Sequence, residues 1–278
     1  MISNLMIQLQ NNNNEIEESM IRHMVLNSIR LYNVKFGEKY GEMVIACDDK
    51  NYWRKNIFPY YKAHRKADRE KSPLDWNQIF NVLNKVRDEL KETFPWKVIQ
   101  IQTAEADDII ATLCNRFGKT LKAEDDINIL IVSGDKDFAQ LQKYANVEQY
   151  SPVTKKWIRI SNPESFLREH IMRGDRGDGV PNFLSADNVI ITGARQKPLA
   201  SKKIEKWVSL DPRDFCNEVM LRNYKRNESL VNLALIPSAI VNQINEKYDN
   251  YKVPSRSGLL NYFIKNRLKL LMDRIGEF

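Results

Sequence analysis

Short runs of apolar and β-branched residues, each followed closely by carboxylates, constrain the fold of this chain most. The runs and their acids are Met43–Cys47 with Asp48 and Asp49, Val98–Ile101 with Glu105, Asp107 and Asp108, and Ile129–Val132 with Asp135 and Asp137. Such runs predict buried strands. Because ligands of open α/β sheets collect beyond the carboxyl ends of the strands, the pattern predicts an acidic cleft gathered from separated segments.

Helix-like patterns separate these runs. Apolar residues recur at three- and four-residue spacing over 79–90 and again over 109–117. Strands alternating with helices predict an α/β domain with a mostly parallel sheet flanked by helices, and residues 147–160 are typical of a hairpin. After about Asn162 the patterns become helical and rich in Lys and Arg. We therefore expect an α/β domain over residues 1–160 and a smaller all-helical domain over 161–278.

Composition excludes several classes of protein. The three cysteines and three histidines are scattered, so neither a disulfide framework nor a zinc site is predicted. No apolar run is long enough to span a bilayer, and we expect a cytoplasmic protein. The net charge of +7 favours a polyanionic partner such as nucleic acid, although a charge of this size also serves solubility.

A fourth acidic cluster, which contains Asp175 and Asp178, opens the helical region. Carboxylates that converge in one cleft repel each other unless cations lie between them. Mg²⁺ is the natural candidate because it is a hard ion that takes carboxylate oxygens. Each cluster alone is explained as well by a helix first turn, a cap or a solvated loop. Together the four favour a pair of metal ions that hydrolyse a phosphate ester.

Aromatic and basic residues alternate between Tyr52 and Lys71. The residues of interest are Tyr52, Trp53, Arg54, Tyr61, Lys62, Arg65 and Lys66. Such interleaving is typical of a path for a nucleic-acid strand, with bases stacking on rings and phosphates paired with cations. The alternative is a surface helix whose aromatic residues pack inward.

A glycine-rich turn offers a second contact with nucleic acid. Gly174, Gly177 and Gly179 precede a predicted helix start at Ala200, which is followed by Lys202 and Lys203. Glycine turns and helix N-termini present backbone N–H groups to phosphates, although these glycines can equally serve backbone geometry alone.

The acidic motifs as a set resemble the flap endonuclease, or structure-specific 5′ nuclease, family. They are Cys47-Asp48-Asp49, Glu105-Ala106-Asp107-Asp108, Ser133-Gly134-Asp135-Lys136-Asp137-Phe138 and Gly174-Asp175-Arg176-Gly177-Asp178. Tyr52-Trp53-Arg54, Tyr60-Tyr61-Lys62, Gln149-Tyr150-Ser151-Pro152, Lys155-Lys156-Trp157 and the ending Ile275-Gly276-Glu277-Phe278 are similar to the ribonuclease H branch of T-even-type bacteriophages. The resemblance covers nearly the whole chain.

The resemblance implies a 5′→3′ exonuclease and flap endonuclease with ribonuclease H activity, which removes RNA primers during phage replication in the host cytoplasm. It implies that Asp48, Asp107 and Asp135 bind a first Mg²⁺, that Glu105, Asp137, Asp175 and Asp178 surround a second, and that Asp108 belongs to this acidic group. Mn²⁺ is expected to substitute. Arg54, Lys62 and Arg65 match the basic arch that guides the 5′ strand, and Gly174–Pro181 would open a helix-hairpin-helix-like element. RNA–DNA hybrids and duplex or flap DNA are the implied substrates, with the sliding clamp and single-stranded DNA-binding protein as implied partners of a monomer.

The chain departs from the family pattern at two places. Met1 stands where the family has an Asp that ends its first strand, so either a strand precedes Met1 or the first metal site has lost one carboxylate. Gly179 replaces the usual Asn.

Two other classes of protein compete with this hypothesis. One is a non-catalytic nucleic-acid-binding relative of the nucleases. The other is a Mg²⁺-dependent phosphatase, which gives no role to the Tyr52–Lys71 stretch. No Gly-x-x-x-x-Gly-Lys motif supports an NTPase.

Overall fold

The structure is a computed structural model that describes residues 17–121 and 127–278. The predictions that concern Met1 and a strand before it lie outside the described residues. The helices are α1 (Glu18–Tyr40), α2 (Arg54–Ile57), α3 (His64–Glu70), α4 (Trp76–Thr93), α5 (Ala106–Phe117), α6 (Pro163–Arg173), α7 (Ser201–Trp207), α8 (Pro212–Phe215), α9 (Glu218–Val231), α10 (Ser238–Asp249), α11 (Leu259–Lys265) and α12 (Lys269–Met272). The 3₁₀ helices are Lys136–Lys143, Arg176–Asp178, Arg256–Gly258 and Ile275–Glu277.

The strands form two small sheets. They are β1 (Val44–Cys47), β2 (Lys97–Gln100), β3 (Ile129–Val132), β4 (Val147–Ser151) and β5 (Lys156–Ile158). Strand β1 pairs with β2, and β4 lies between β3 and β5. The β3–β4 pair is parallel and the β4–β5 pair is antiparallel, which confirms the predicted hairpin.

The chain divides into two compact units that alternate along the sequence. The first contains the described residues up to Cys47 together with Lys71–Ile99 and Glu246–Phe278, and the second contains Asp48–Glu70 and Gln100–Asn245. The domain boundary expected near residue 160 stays a prediction. Among the described residues, no helix is both long and apolar enough to cross a membrane.

The core of the first unit is aromatic. Phe94 is fully buried and its ring centroid lies 5.1 Å from that of Tyr262, 6.1 Å from that of Phe263 and 5.7 Å from that of Phe278. Helix α4 reaches this core because Ile79, Val82, Val86 and Leu90 recur on one face. The α4 start is fixed by Asp75, whose side chain accepts a hydrogen bond from the N–H of Gln78.

The core of the second unit gathers around Phe183. Its ring contacts those of Trp207, Phe215 and Tyr224 edge-on, with centroids 5.9–6.2 Å apart. Helix α6 packs here through Ile171 and Met172. At its N-terminus the side chain of Asn162 accepts a hydrogen bond from Ser165, and Pro163 follows the cap. This packing fixes the end of α6, from which the acidic turn at Asp175 departs.

Gly174 is required at the end of α6. Its φ of +67° is left-handed, and an added Cβ would lie 2.4 Å from the carbonyl oxygens of both Val180 and Pro181. Gly193 has a similar φ of +69°, but nothing lies within 4 Å of a Cβ there. The two positions therefore separate backbone strain from steric overlap.

We expect Gly193→Ala to lower the free energy of unfolding by about 1 kcal/mol through the left-handed backbone alone. Gly174→Ala should cost roughly 1–3 kcal/mol more, because the backbone of the acidic turn must shift. Urea unfolding of both variants measures the difference. Equal losses for the two variants would show that the turn tolerates the side chain.

Candidate active site

All the acids predicted for metal binding lie within the second unit. Asp48 follows β1 and is exposed, and its Oδ1 accepts a hydrogen bond of 2.7 Å from the N–H of Ala106. Ala106 is the first residue of α5, where free N–H groups favour a carboxylate. This bond ties the end of the first acidic segment to the second.

Arg54 lies in the interior between two of the predicted ligands. It is 2% exposed, its Nη1 donates to Glu105 Oε2 at 2.8 Å, and its Nη2 lies 2.8 Å from Asp108 Oδ1. Its Nε donates to the carbonyl of Leu230. This corrects the prediction that Arg54 contacts nucleic acid, because its guanidinium is surrounded by protein groups and has no face open to a phosphate.

Asp108 has a structural role in this arrangement. It is fully buried, and its Oδ2 accepts hydrogen bonds from the N–H of Glu105, at 2.9 Å, and from the indole N–H of Trp53, at 3.0 Å. These bonds fix the start of α5. The predicted place of Asp108 among the metal ligands is therefore not supported by the geometry.

Glu105 and Asp178 share a set of donors from the 52–71 stretch. The Tyr61 hydroxyl oxygen lies 3.0 Å from Glu105 Oε2 and 2.8 Å from Asp178 Oδ2, so its one proton is within reach of both carboxylates. Lys62 Nζ pairs with Glu105 and lies 3.5 Å from Asp178 Oδ2. Arg65 Nη2 donates to Asp178 Oδ1 at 2.6 Å. Both acids thus face protein donors and cations at the positions where the sequence predicted a metal ion.

The electrostatics of these two acids differ. Burial acts to raise the pKa of Glu105, but the charges of Lys62 and Arg54 outweigh it and hold the pKa below its usual value. Burial raises the pKa of Asp178, and the nearby Lys62 and Arg65 only partly oppose it. Glu105 is therefore a stable anion, whereas ionised Asp178 gains from any further positive charge.

Asp107 is an acid whose pKa is raised by burial and by several neighbouring carboxylates. Burial raises its pKa well above the usual value, and the negative charges of Asp135, Glu105 and Asp137 raise it further. Asp135 is exposed and ends the segment after β3, where its Oδ1 accepts a hydrogen bond from Asp137 N–H. The structure therefore brings the carboxylates of two separated motifs, 105–108 and 133–138, into mutual electrostatic contact.

Asp137, His170 and Asp175 form the tightest group of potential metal-binding atoms among residues 17–121 and 127–278. One ligand atom from each lies within 4.8 Å of the others. His170 Nε2 is 2.7 Å from Asp137 Oδ1 and 3.7 Å from Asp175 Oδ2. Two carboxylates and an imidazole fit a divalent cation. Sequence reasoning missed His170 because an isolated histidine in a helix carries no spacing signal.

Asp175 also has a cation neighbour. Burial acts to raise its pKa, but a hydrogen bond from Lys136 and the proximity of His170 outweigh burial and hold the pKa below its usual value. Lys136 Nζ lies 3.0 Å from Asp175 Oδ2, and its side chain is 53% exposed. Because its side chain is largely exposed, Lys136 would be displaced by a divalent cation that bound to Asp175.

The aromatic residues of the 52–71 stretch face inward for the most part. Trp53 and Tyr61 are buried, and Tyr52 is half-buried with its ring edge-on to that of Tyr61. The predicted stacking of bases on Trp53 and Tyr61 is therefore corrected, because both rings are covered by protein. Lys66 is exposed and the Arg65 side chain is 42% exposed, so the outer face of the stretch is basic.

The glycine turn and the lysine pair lie apart in the sequence but in the same unit. Gly174 and Gly179 are buried with left-handed backbones, whereas Gly177 is exposed. An isolated bridge between Asp175 and Val180 closes the turn. Lys202 and Lys203 are exposed in the first turn of α7. Gly174 and Gly179 thus have a clear geometric role, and the lysines are accessible to a phosphate backbone.

We expect Arg54→Ala to lower the free energy of unfolding by about 3–5 kcal/mol, because it leaves Asp108 buried without its cation and Glu105 with Lys62 alone. Lys66→Ala, an exposed position in the same stretch, should change it by less than about 0.5 kcal/mol. Chemical denaturation of both variants provides the comparison. A stable Arg54→Ala protein that had lost only nucleic-acid affinity would restore the surface role.

The raised pKa of Asp107 predicts a pH dependence of stability. A carboxyl whose pKa is raised in the folded state does not lower the free energy of unfolding in acid, because it is protonated in both states. The loss of stability develops as pH rises from the ordinary Asp pKa to the raised one. In chelator-treated protein at neutral pH, Asp107→Asn should therefore raise the melting temperature by about 2–4 °C. In acid below the ordinary Asp pKa the two proteins should melt together. A variant less stable than wild type at neutral pH would contradict the assignment.

The comparisons with known proteins agree with this geometry. A family model described as "5′-3′ exonuclease, N-terminal resolvase-like domain" matches residues 7–170, and one described as "T4 RNase H, C terminal" matches residues 162–278. The chain is 36% identical over 275 residues to ribonuclease H of Enterobacteria phage T4, covering 95% of this chain and 88% of the relative. It is 27% identical over 232 residues to a 5′-3′ exonuclease of Buchnera aphidicola, covering 79% and 76%.

Solved structures show the same fold. The flap endonuclease of bacteriophage T5, crystallised as a pseudo-enzyme–product complex with DNA and metal ions, superposes with a TM-score of 0.56 at 15% identity, covering 80% of this chain and 89% of that one. The T5 protein co-crystallised with metal ions gives 0.55 at 16%, covering 80% and 91%. The predicted fold class is confirmed as a resolvase-like 5′ nuclease fold with a C-terminal helical domain. This chain belongs to the 5′-3′ exonuclease family, in the group that carries the T4 RNase H C-terminal domain, and it is a 5′ nuclease.

Proposed function

We propose that this chain is a Mg²⁺-dependent 5′→3′ exonuclease and flap endonuclease that removes RNA primers and adjacent DNA from lagging-strand fragments. The reaction would be two-metal hydrolysis of a phosphodiester. Asp48, Asp107 and Asp135 would hold one ion, and Asp137 and Asp175 the other. The observation that supports the proposal most is the position of Asp107, whose pKa is raised first by burial and then by the charges of Asp135, Glu105 and Asp137.

Divalent ions, when bound, would supply a water of lowered pKa and stabilise negative charge on the scissile phosphate. The residues of the chain would place the phosphate. Lys62 has a side chain only 11% exposed and a left-handed backbone of φ 55°, which its N–H holds by donating to the carbonyl of Asp178 at 2.7 Å. Such strain in a non-glycine residue is typical of functional sites.

Lys62 and Arg65 already bind negatively charged oxygens. In this structure their partners are Glu105 and Asp178. A phosphate at the same place would present similar oxygens to these side chains and would replace one of their carboxylate partners. Lys62 would therefore contact the scissile phosphate, and Arg65, nearer to solvent, would contact the neighbouring one.

The substrate assignments rest on the relatives. The T4 relative is named ribonuclease H, and the T5 neighbour was crystallised with DNA and metal ions. We extend these to RNA–DNA hybrids and duplex or flap DNA for this chain, with Lys202 and Lys203 as contacts for the phosphate backbone. We further propose the sliding clamp and the single-stranded DNA-binding protein as partners, and the cytoplasm of the infected host as the location.

The test uses a 5′-labelled flapped duplex and a 5′-labelled RNA–DNA hybrid incubated with Mg²⁺. We expect short 5′ products, abolished by EDTA. Asp107→Asn with Asp135→Asn should lower the rate by more than about 100-fold, because even residues that only support metal ligands cost 10–100-fold. Asp211→Asn, an exposed acid paired with Arg213, is the matched control and should cleave like wild type.

Each failure of this test has its own meaning. Binding of the flap without cleavage would leave a non-catalytic nuclease relative. Hydrolysis of a small phosphomonoester with the duplex intact would favour a phosphatase. Cleavage that survives EDTA would remove the metal ions from the proposal.

A further inference from the structure

His170 belongs to the metal-binding group by geometry, although no motif of the sequence includes it. It lies in the last turn of α6 and is 5% exposed, with its Nε2 facing the two carboxylates of Asp137 and Asp175. The two acids come from different 3₁₀ elements: Asp137 is in the first turn of Lys136–Lys143, and Asp175 is the N-cap of Arg176–Asp178. The three side chains thus close on one point from three backbone segments.

The protein's own donors serve the two carboxylates separately, His170 for Asp137 and Lys136 for Asp175. If Nε2 carries a proton, that proton can be directed to only one oxygen, and Asp137 at 2.7 Å takes it. Asp175 at 3.7 Å is then left to Lys136, whose side chain is 53% exposed. A cation between the three atoms would serve both carboxylates and the nitrogen lone pair, with the ring proton on the other nitrogen.

We propose that His170 is a direct nitrogen ligand of the ion held by Asp137 and Asp175, and that this site therefore favours first-row transition-metal ions such as Mn²⁺ and Co²⁺ over Mg²⁺. The inference rests on the proposed function, since it specifies the ion of the same centre. Imidazole suits transition metals, whereas Mg²⁺ takes oxygen ligands and keeps several waters. The nitrogen is thus the element of the site that sets its metal preference.

The competing explanation is a purely positioning role, in which His170 only fixes the carboxylate of Asp137 by a hydrogen bond. The two roles predict different consequences for metal selectivity. Loss of a positioning bond weakens all divalent ions alike, because the oxygen ligands are shared. Loss of a nitrogen ligand weakens Co²⁺ and Mn²⁺ more than Mg²⁺ and removes a spectroscopic signature.

The experiment uses the full chain with Mn²⁺, Co²⁺ or Mg²⁺ alone as the probe. Pulsed electron paramagnetic resonance of the Mn²⁺-loaded protein should show hyperfine coupling to a directly bound imidazole nitrogen. His170→Gln should abolish that coupling, and His23→Gln, a histidine of the first unit, should retain it. Calorimetry should show Co²⁺ affinity lowered about 10–100-fold by His170→Gln, and Mg²⁺ affinity lowered less than about threefold.

Three results would overturn the proposal. The first is Mn²⁺ binding without nitrogen coupling in the wild type, and the second is equal loss of Co²⁺ and Mg²⁺ affinity in His170→Gln. In both cases the nuclease assay with Mg²⁺ still reports on the proposed function separately. The third is wild-type protein that binds none of the three ions, which would overturn both the ligand assignment and the metal-dependent function. Circular dichroism of His170→Gln confirms that the variant is folded.

Discussion

Charge balance among the acids of the second unit is the constraint on which the rest of that unit depends. Arg54 is buried between Glu105 and Asp108. Lys62 pairs with Glu105 and Asp178, and Arg65 pairs with Asp178. These cations come from a short segment that the acids themselves anchor, so each set fixes the other. Buried carboxylates of this kind are tolerated only when such partners are present.

The balance divides the acids into two groups with different roles. Arg and Lys side chains form ion pairs with Glu105, Asp108 and Asp178, and these pairs shape the site. Asp107 receives the repulsion of its acidic neighbours, which appears as a pKa raised by burial and by their charge. Positive charge from outside the chain would stabilise Asp107 most, because its neighbours Asp135 and Asp137 are also acids.

The sequence predicted the fold class, the strands, the hairpin and the gathering of the acids, because hydrophobic periodicity and turn chemistry are local signals. It did not predict which acids pair with cations, since that depends on contacts such as Arg54 with Glu105, 51 residues apart. The inward packing of Trp53 and Tyr61 was missed for the same reason. Alternating aromatic residues give the same sequence pattern whether their rings stack on bases or pack into the core. His170 gave no signal at all until α6 brought it to Asp137.

Anomalous scattering from crystals soaked in Mn²⁺ would reveal whether the acids gathered in the second unit bind divalent cations. We expect an anomalous peak at bonding distance from Asp137 Oδ1, His170 Nε2 and Asp175 Oδ2, with Lys136 displaced, and a second peak near Asp107. Well-ordered density for this site with no peak, and with Lys136 still on Asp175, would contradict it.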